Sequence, residues 1–156
     1  MSSTAQQSDE WGSLELVSAP LIEAGELVTV HLRYIAGTAG LAPGGTVSIT
    51  TTSDSDWAPP QLADPAADGF LKAAPPPDCA VSVHTPDHKS IVVTLQSGKL
   101  QSGDAIDIVL GDRSGGGLGL RAQTFYEPRR YFHCEVDATG SGKHGAARSA
   151  ILQIAG

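Results

Sequence analysis

Alternation of apolar and polar residues at every second position most restricts what this chain can fold into. In residues 26–35, ELVTVHLRYI, four apolar side chains alternate with three polar ones: Val28, Val30, Leu32 and Tyr34 against Thr29, His31 and Arg33. A period of two is typical of a β-strand with one buried face. The same pattern recurs, so we predict strands over the following ranges: 13–18, 26–35, 45–51, 79–85, 90–96, 102–111, 120–126, 130–138 and 147–155.

Glycine and proline separate these segments and argue against helices. The 156 residues include 18 glycines and 10 prolines, which helix interiors tolerate poorly. Charged residues make up 17% of the chain, which is low for a helical protein. We therefore predict an all-β fold, an immunoglobulin-like antiparallel β-sandwich of about nine strands. We expect a polar tail over residues 1–12 and a single sandwich domain over residues 13–156.

Two segments break the alternation. Residues 52–78 contain six prolines and are long for a loop, and loops of this length are usually functional or disordered. Trp57 and Phe70 argue against disorder, because disordered segments are poor in aromatic residues. We expect an ordered excursion over one edge of the sandwich. The second segment, residues 110–125 (LGDRSGGGLGLRAQTF), contains five glycines.

The glycine-rich segment lacks the context of a nucleotide-binding loop. A phosphate-binding loop needs a lysine before a helix, and a dinucleotide-binding loop must also open a helix. The residues that follow, AQTFYE, alternate instead. We interpret the segment as a wide corner between strands, pinned by a turn and an ion pair of Asp112 and Arg113. A ligand site is the alternative, because loops on rigid sheets often carry function.

No spacing of residues predicts a metal centre or a catalytic group, and we expect no cofactor. The histidines show neither helical i,i+4 pairing nor the clustered spacing of a zinc site. The gap from Cys134 to His144 is too long for a blue-copper loop. Asp104 and Asp107 fall on opposite faces of their strand, which weakens them as an acid/base pair. We therefore expect this chain alone not to be an enzyme.

Charge and hydropathy exclude two classes of partner. The formal net charge is -7, and the longest basic run is the pair Arg129-Arg130, so we expect no nucleic-acid binding. No apolar run approaches the ~20 residues that span a bilayer, so we expect no membrane partner. The polar N-terminus is not a secretory signal, and we expect a soluble, cytoplasmic protein. Cys79 and Cys134 are predicted as two buried thiols, with a disulfide between facing sheets as the alternative.

Three consecutive segments resemble the N-terminal region of a large, poorly characterised bacterial family. They are AGELVTVHLRYIAGTAGLAPGGTVSI, SDWAPPQLADPAADGF and LQSGDAIDIVLGDRSGGGLGLRAQTFYEPRRYFHCEVDATGSG, and the resemblance runs from about Ala24 to the C-terminus. Full-length members of that family place a β-sandwich ahead of a PHP-like metal-dependent hydrolase domain. The histidine-rich motifs of the hydrolase are absent here, so the resemblance implies the sandwich alone and transfers no catalytic residue.

The sequence thus predicts a non-catalytic accessory or assembly module, or a small subunit, that contacts a separate catalytic partner or a second copy of itself. We expect the contact surface to combine residues 52–78 with the glycine-rich residues 111–123. One alternative is a small-ligand or carbohydrate-binding module. Another is a subunit that completes the active site of a metal-dependent hydrolase, with four candidate residues: His84, His88, Asp112 and Arg113. The candidate binding residues are Trp57, Gln61, Asp112, Arg113, Arg121 and Gln123.

Overall fold

The computed structural model describes residues 10–51, 56–87 and 89–156. His88, one of the predicted candidates, lies outside these ranges. The described residues form twelve strands, with the following bounds: β1 (Ser13–Leu16), β2 (Leu21–Glu23), β3 (Leu27–Val28), β4 (Val30–Ile35), β5 (Thr46–Thr50), β6 (Leu71–Ala74), β7 (Ala80–Asp87), β8 (Ser90–Ser97), β9 (Ala105–Leu110), β10 (Leu120–Arg121), β11 (Glu127–Asp137) and β12 (Gly145–Ala155).

The strands form two sheets packed face to face, so the predicted antiparallel β-sandwich is confirmed. The front sheet has the order β6-β9-β4-β1, and the back sheet has the order β12-β11-β5-β8-β7 with β2 beside β12. The sheets join where β1 pairs with β12 in parallel, at Ser13 and Arg148. β3 and β10 form a separate two-stranded ribbon. Within the described ranges, no helix has the length and apolarity needed to cross a membrane.

The core lies between the sheets and consists of the inward-facing residues of the alternating strands. Leu32 and Tyr34 of β4 are fully buried, as are Val93 and Leu95 of β8. Burying a side chain of this size contributes about 1.5–3 kcal/mol. The Tyr34 hydroxyl donates to the backbone carbonyl of Trp11 (2.8 Å), which satisfies its one polar group. Desolvation raises the pKa of this phenol well above its ordinary value.

The structure departs from the predicted strands in three places. The segment 26–35 divides at Thr29, whose hydroxyl donates to the carbonyl of Gly111 (2.8 Å), so β3 pairs with β10 while β4 pairs with β9. β2 and β6 were not predicted, and β6 lies inside the proline-rich segment. The strand predicted over 120–126 is shorter than expected and comprises Leu120 and Arg121. The chain then bends, and the next strand, β11, begins at Glu127.

The two cysteines are free thiols, so the disulfide alternative is wrong. Cys134 is buried as predicted, and burial raises the pKa of its thiol to about 12. Cys79 is half-buried just before β7, where its sulfur lies 3.7 Å from the carbonyl of Lys99.

Candidate interaction surfaces

The two irregular segments pack against each other. Residues 56–70 and 111–124 together form what we call the cap, which covers one edge of the space between the sheets. The amide of Gly69 donates to the carbonyl of Gly119 (2.9 Å), and the amide of Leu118 donates to the carboxylate of Asp68 (2.7 Å). The expected ordered excursion is therefore observed over residues 56–70, with the glycine-rich segment as its partner.

Three consecutive glycines allow this close approach, for two different reasons. A Cβ on Gly115 would collide with the carbonyl of Pro65, and one on Gly117 would lie 2.5 Å from the carbonyl of Ala67. Gly116 between them has a φ of +115°, a conformation that other residues rarely adopt. The geometry thus supports the interpretation of this segment as a structural corner.

The polar side chains proposed from the sequence as binding groups hold the cap together. Arg113 donates to the carbonyl of Leu27 (2.9 Å), and Arg121 donates to the carbonyl of Gly25 (2.8 Å). Asp112 accepts a hydrogen bond from a serine hydroxyl two residues along the chain (2.6 Å). The predicted ion pair of Asp112 with Arg113 is therefore wrong, because each side chain has a different partner.

Gln61 also stabilises the cap through hydrogen bonds to the backbone. Its side-chain oxygen accepts from the amides of Ala63 (2.9 Å) and Asp64 (2.8 Å), and its side-chain nitrogen donates to the carbonyl of Asp64 (2.7 Å). Because its side chain both accepts hydrogen bonds from the backbone and donates one to it, Gln61 stabilises the turn that follows it.

Trp57 and Gln123 of the cap form a cluster with Arg130 of β11. Gln123 is fully buried, and its side-chain oxygen accepts from the indole nitrogen of Trp57 (2.8 Å) and from Nη1 of Arg130 (3.1 Å). The Arg130 guanidinium lies 5.2 Å from the ring centre of Trp57 and 5.9 Å from that of Phe132. Its Nη2 donates to the hydroxyl of Thr51 (3.2 Å). Trp57 and Gln123, both predicted from the sequence, are thus brought together around a cation.

Arg130 is a charged residue in a buried position, with 5% of its surface exposed. Burial lowers the pKa of the guanidinium, and Glu127, whose carboxylate oxygen lies 3.6 Å from Nη1, opposes that shift. Cation–π contacts with two rings compensate part of the desolvation. Sequence reasoning did not single out Arg130. The signal was present, because Arg130 shares the period-two face of Cys134, which was predicted to be buried.

The histidine and carboxylate candidates for a hydrolase site are dispersed. His84 is exposed on β7, whereas Asp112 and Arg113 belong to the cap. Within the described part of the chain, no group of three or more histidine, cysteine, aspartate or glutamate side chains could hold a metal ion.

The outer face of the front sheet is charged. Asp107, Arg33 and Glu15 lie in register across β9, β4 and β1. The carboxylate of Asp107 accepts from Nε of Arg33 (2.7 Å) and lies 2.9 Å from Nε2 of His31. Burial raises the pKa of Asp107, but these two hydrogen bonds outweigh burial and hold the pKa below its ordinary value.

The middle of the outer face of the back sheet carries little charge, and the exposed Arg129 and Arg148 lie at its borders. The outward side chains of this middle part, on β11, β5, β8 and β7, form what we call the back face: Tyr131, His133, Glu135, Thr46, Ser48, Thr50, Val92, Thr94, Gln96, Ser82 and His84. Of these described residues, Glu135 alone carries a formal charge at pH 7. Tyr131 and His133 stack with ring centres 5.6 Å apart and planes 6° from parallel.

Two exposed aliphatic side chains continue the back face onto β12 and β2, where Arg148 and Glu23 are also exposed. Ile151 pairs with Tyr131 across the strands and is 46% exposed. Leu21, on the far side of β12, is 51% exposed. The back sheet therefore presents a broad surface of hydroxyl, aromatic and aliphatic groups.

Comparison with solved structures shows that the fold of this sandwich is similar to that of cohesin modules. No family model matches the sequence, and no curated protein matches it. Among solved structures, the fold is similar to the cohesin module of a family 33 glycoside hydrolase from Clostridium perfringens, with a TM-score of 0.52, 10% identity, and coverage of 94% of this chain and 98% of that chain. It is also similar to a non-cellulosomal cohesin from Archaeoglobus fulgidus, with a TM-score of 0.50, 9% identity, and coverage of 94% and 92%. At these identities the likeness shows the fold.

Proposed function

We propose that this chain is a non-catalytic module that docks a partner protein through the back face. The observation that carries this proposal is the contrast in charge between the two outer faces. The centres of protein interfaces are depleted of charged residues, as the back face is. The structural neighbours support the proposal, since cohesin modules are protein–protein interaction domains.

The back sheet is large enough for a specific contact. The six strands of the back sheet are spaced about 4.8 Å apart and average about eight residues, which gives a projected area on the order of 700 Å². Specific interfaces begin at roughly 500 Å² of accessible surface on each partner. The back sheet therefore has enough surface for a specific contact.

The cap is the second candidate surface, and it was the one predicted from the sequence. Its polar groups bond within the chain, but two large apolar side chains at its surface are exposed, Leu62 (40%) and Leu118 (63%), and Phe125 (43%) follows directly after it. We favour the back face because it is continuous and low in charge, as the centres of interfaces are. The resemblance noted in the sequence leads us to propose a partner with a PHP-like hydrolase domain. The carbohydrate-binding alternative remains a prediction.

A matched pair of substitutions tests the docking face. Val92→Arg places a charge in the middle of the back face, and Val109→Arg places the same charge on the front face. Both valines are half-buried and point outward, so the variants differ only in the face that they alter. Leu118→Arg reports on the cap.

Partners captured from a lysate of the source organism are identified by mass spectrometry and then titrated against each purified variant. We expect Val92→Arg to weaken binding at least tenfold, because an unpaired charge would be buried, and Val109→Arg to leave it unchanged. Sedimentation at several concentrations reveals whether the partner is a second copy. A partner that Val92→Arg still binds at full affinity, or one lost only with Leu118→Arg, would refute docking through the back face.

A further inference from the structure

The outward side chains of β11 form a row with opposite charges at its two ends. Arg129 and Glu135 are exposed, and Tyr131 and His133 lie half-buried between them. Among the residues that the structure describes, neither Arg129 nor Glu135 forms a salt bridge. We call these four residues the β11 row. Its order along the strand is a positive charge, two stacked rings and a negative charge.

The β11 row is complementary to itself when a second copy is turned around. Phe132 lies midway along the row, three residues from each charge. Consider a two-fold axis that crosses β11 at the level of Phe132, in the plane between two facing copies. This axis brings Arg129 of each copy over Glu135 of the other, and Tyr131 of each over His133 of the other. A contact in which both copies use the same patch is the usual form of a symmetric dimer.

The neighbouring strand β12 is compatible with this arrangement. Ile151 pairs with Tyr131, and Arg148 and Ser149 form a bulge beside the other ring of the row. The same axis therefore places Ile151 of one copy over the bulge of the other. There the exposed aliphatic side chain meets a serine and the apolar stem of an arginine, so no second arginine lies opposite Arg148.

We propose that the β11 row pairs with the same row of a second copy of this chain. The two reciprocal ion pairs set the antiparallel orientation, because complementary charges fix the register of an interface and like charges disfavour the alternatives. The contact is centred on β11 and β12 and uses only part of the back sheet. Contacts of small area are weak and transient, so we expect a dimer that exchanges readily with the monomer.

Self-pairing covers part of the back face. A second copy and a docked partner would therefore exclude each other, and the dimer would hold the docking surface closed until a partner competes for it. Only this competition rests on the proposed function. The pairing itself depends on the β11 row alone and is measured on the purified chain without any partner.

Charge reversal at the two ends of the β11 row tests the pairing. In Arg129→Glu two acidic groups face each other across the axis, and in Glu135→Arg two basic groups do, so each variant should weaken self-association about tenfold or more. The double variant exchanges the two charges and should associate as the parent does. The two single variants, mixed as separate proteins, should form a heterodimer, because one copy then has two acidic ends and the other has two basic ends.

Sedimentation velocity at protein concentrations up to about 1 mM measures the association, since contacts with a millimolar Kd are populated there. Lys72→Glu and Glu15→Arg are the matched controls, because they change the net charge by the same amounts on exposed side chains of the front sheet. Both controls should associate as the parent does. Added salt should weaken the parent dimer, since exposed ion pairs are screened.

Three outcomes would overturn the proposal: a parent protein that is monomeric at every concentration, single variants that associate as the parent does, or single variants that stay separate when they are mixed. A monomeric parent would leave the docking proposal intact, because that proposal concerns a different partner. Conversely, full binding of a captured partner by Val92→Arg would refute docking through the back face and would leave the self-pairing result unchanged.

Discussion

Removal of the Gln123 side chain should destabilise the protein far more than removal of an ordinary glutamine. Its oxygen accepts from two buried donors, the indole N–H of Trp57 and Nη1 of Arg130. Its nitrogen donates to the carbonyl of Phe125 (3.2 Å) and to the carboxylate of Glu127 (3.1 Å). Gln123→Ala would break all four contacts in a position with no exposure to water.

The magnitude follows from the donors left behind. A buried donor that loses its acceptor costs about 1–3 kcal/mol, and more when it is charged. Two such donors give an expected loss of about 2–6 kcal/mol in the free energy of unfolding. In a domain of this size, each kcal/mol lowers Tm by about 2–4 °C, so the loss corresponds to roughly 4–24 °C.

Urea denaturation measures this loss, with Gln96→Ala as the matched control. Gln96 is exposed and donates only to the hydroxyl of Ser82 (2.7 Å), so its truncation should cost no more than about 0.5 kcal/mol. A double-mutant cycle with Trp57→Phe, which removes the indole N–H, isolates one contact. In that background Gln123→Ala should cost about 1–2 kcal/mol less.

The reasoning fails if Gln123→Ala costs no more than Gln96→Ala, or if the cycle shows no coupling between Trp57 and Gln123. The two residues would then be independent of each other. Their sequence-based assignment to a ligand site would be the stronger interpretation.

Three further predictions concern the cap, the thiols and acid stability. Gly115→Ala should cost about 1–3 kcal/mol, because its Cβ would force the two segments of the cap apart, and an unchanged urea midpoint would contradict this. Iodoacetamide at pH 8 should alkylate Cys79 alone in the folded protein, because burial raises the pKa of Cys134 to about 12; mass spectrometry would show two adducts if this is wrong. Backbone amides, that of Gly142 above all, lower the pKa of Asp137, so this carboxylate stabilises the fold above its ordinary pKa of 3.8. That contribution is lost as the pH falls through the lowered pKa. Urea titrations from pH 6 to 2 should therefore show a smaller loss of stability for Asp137→Ala than for the parent protein, and an equal loss in both would contradict the prediction.

The alternating strands could be predicted because their pattern is local. β4 and β9 alternate without interruption, and each buries the face that the sequence indicates. β2 has only three residues, and β6 is the nearly featureless LKAA, so neither carries a readable period. β2 forms because it pairs with β12, and β6 forms because it pairs with β9. Which strand has a free edge for such pairing depends on the whole fold and cannot be seen in the local sequence.

The candidate surfaces could be predicted only in part, because they depend on contacts between distant residues. The sequence identified both segments of the cap, but Asp68 and Leu118 lie 50 residues apart, and nothing local indicates that they meet. The polar side of β5, with Thr46, Ser48 and Thr50, was equally visible. Its place between β11 and β8, which makes it part of a face, follows from the strand order.

The distribution of charge makes the back face costly to leave uncovered. A broad, flat sheet surface with few charges favours contact with other molecules, and exposed sheets are usually protected by charged side chains. The front sheet has that protection in Arg33, Asp107 and Glu15, whereas the back face has Glu135 within it and two arginines, Arg129 and Arg148, at its borders. Since the chain carries a net charge of -7, acidic residues are plentiful, and their scarcity on this one face favours a surface that a partner covers.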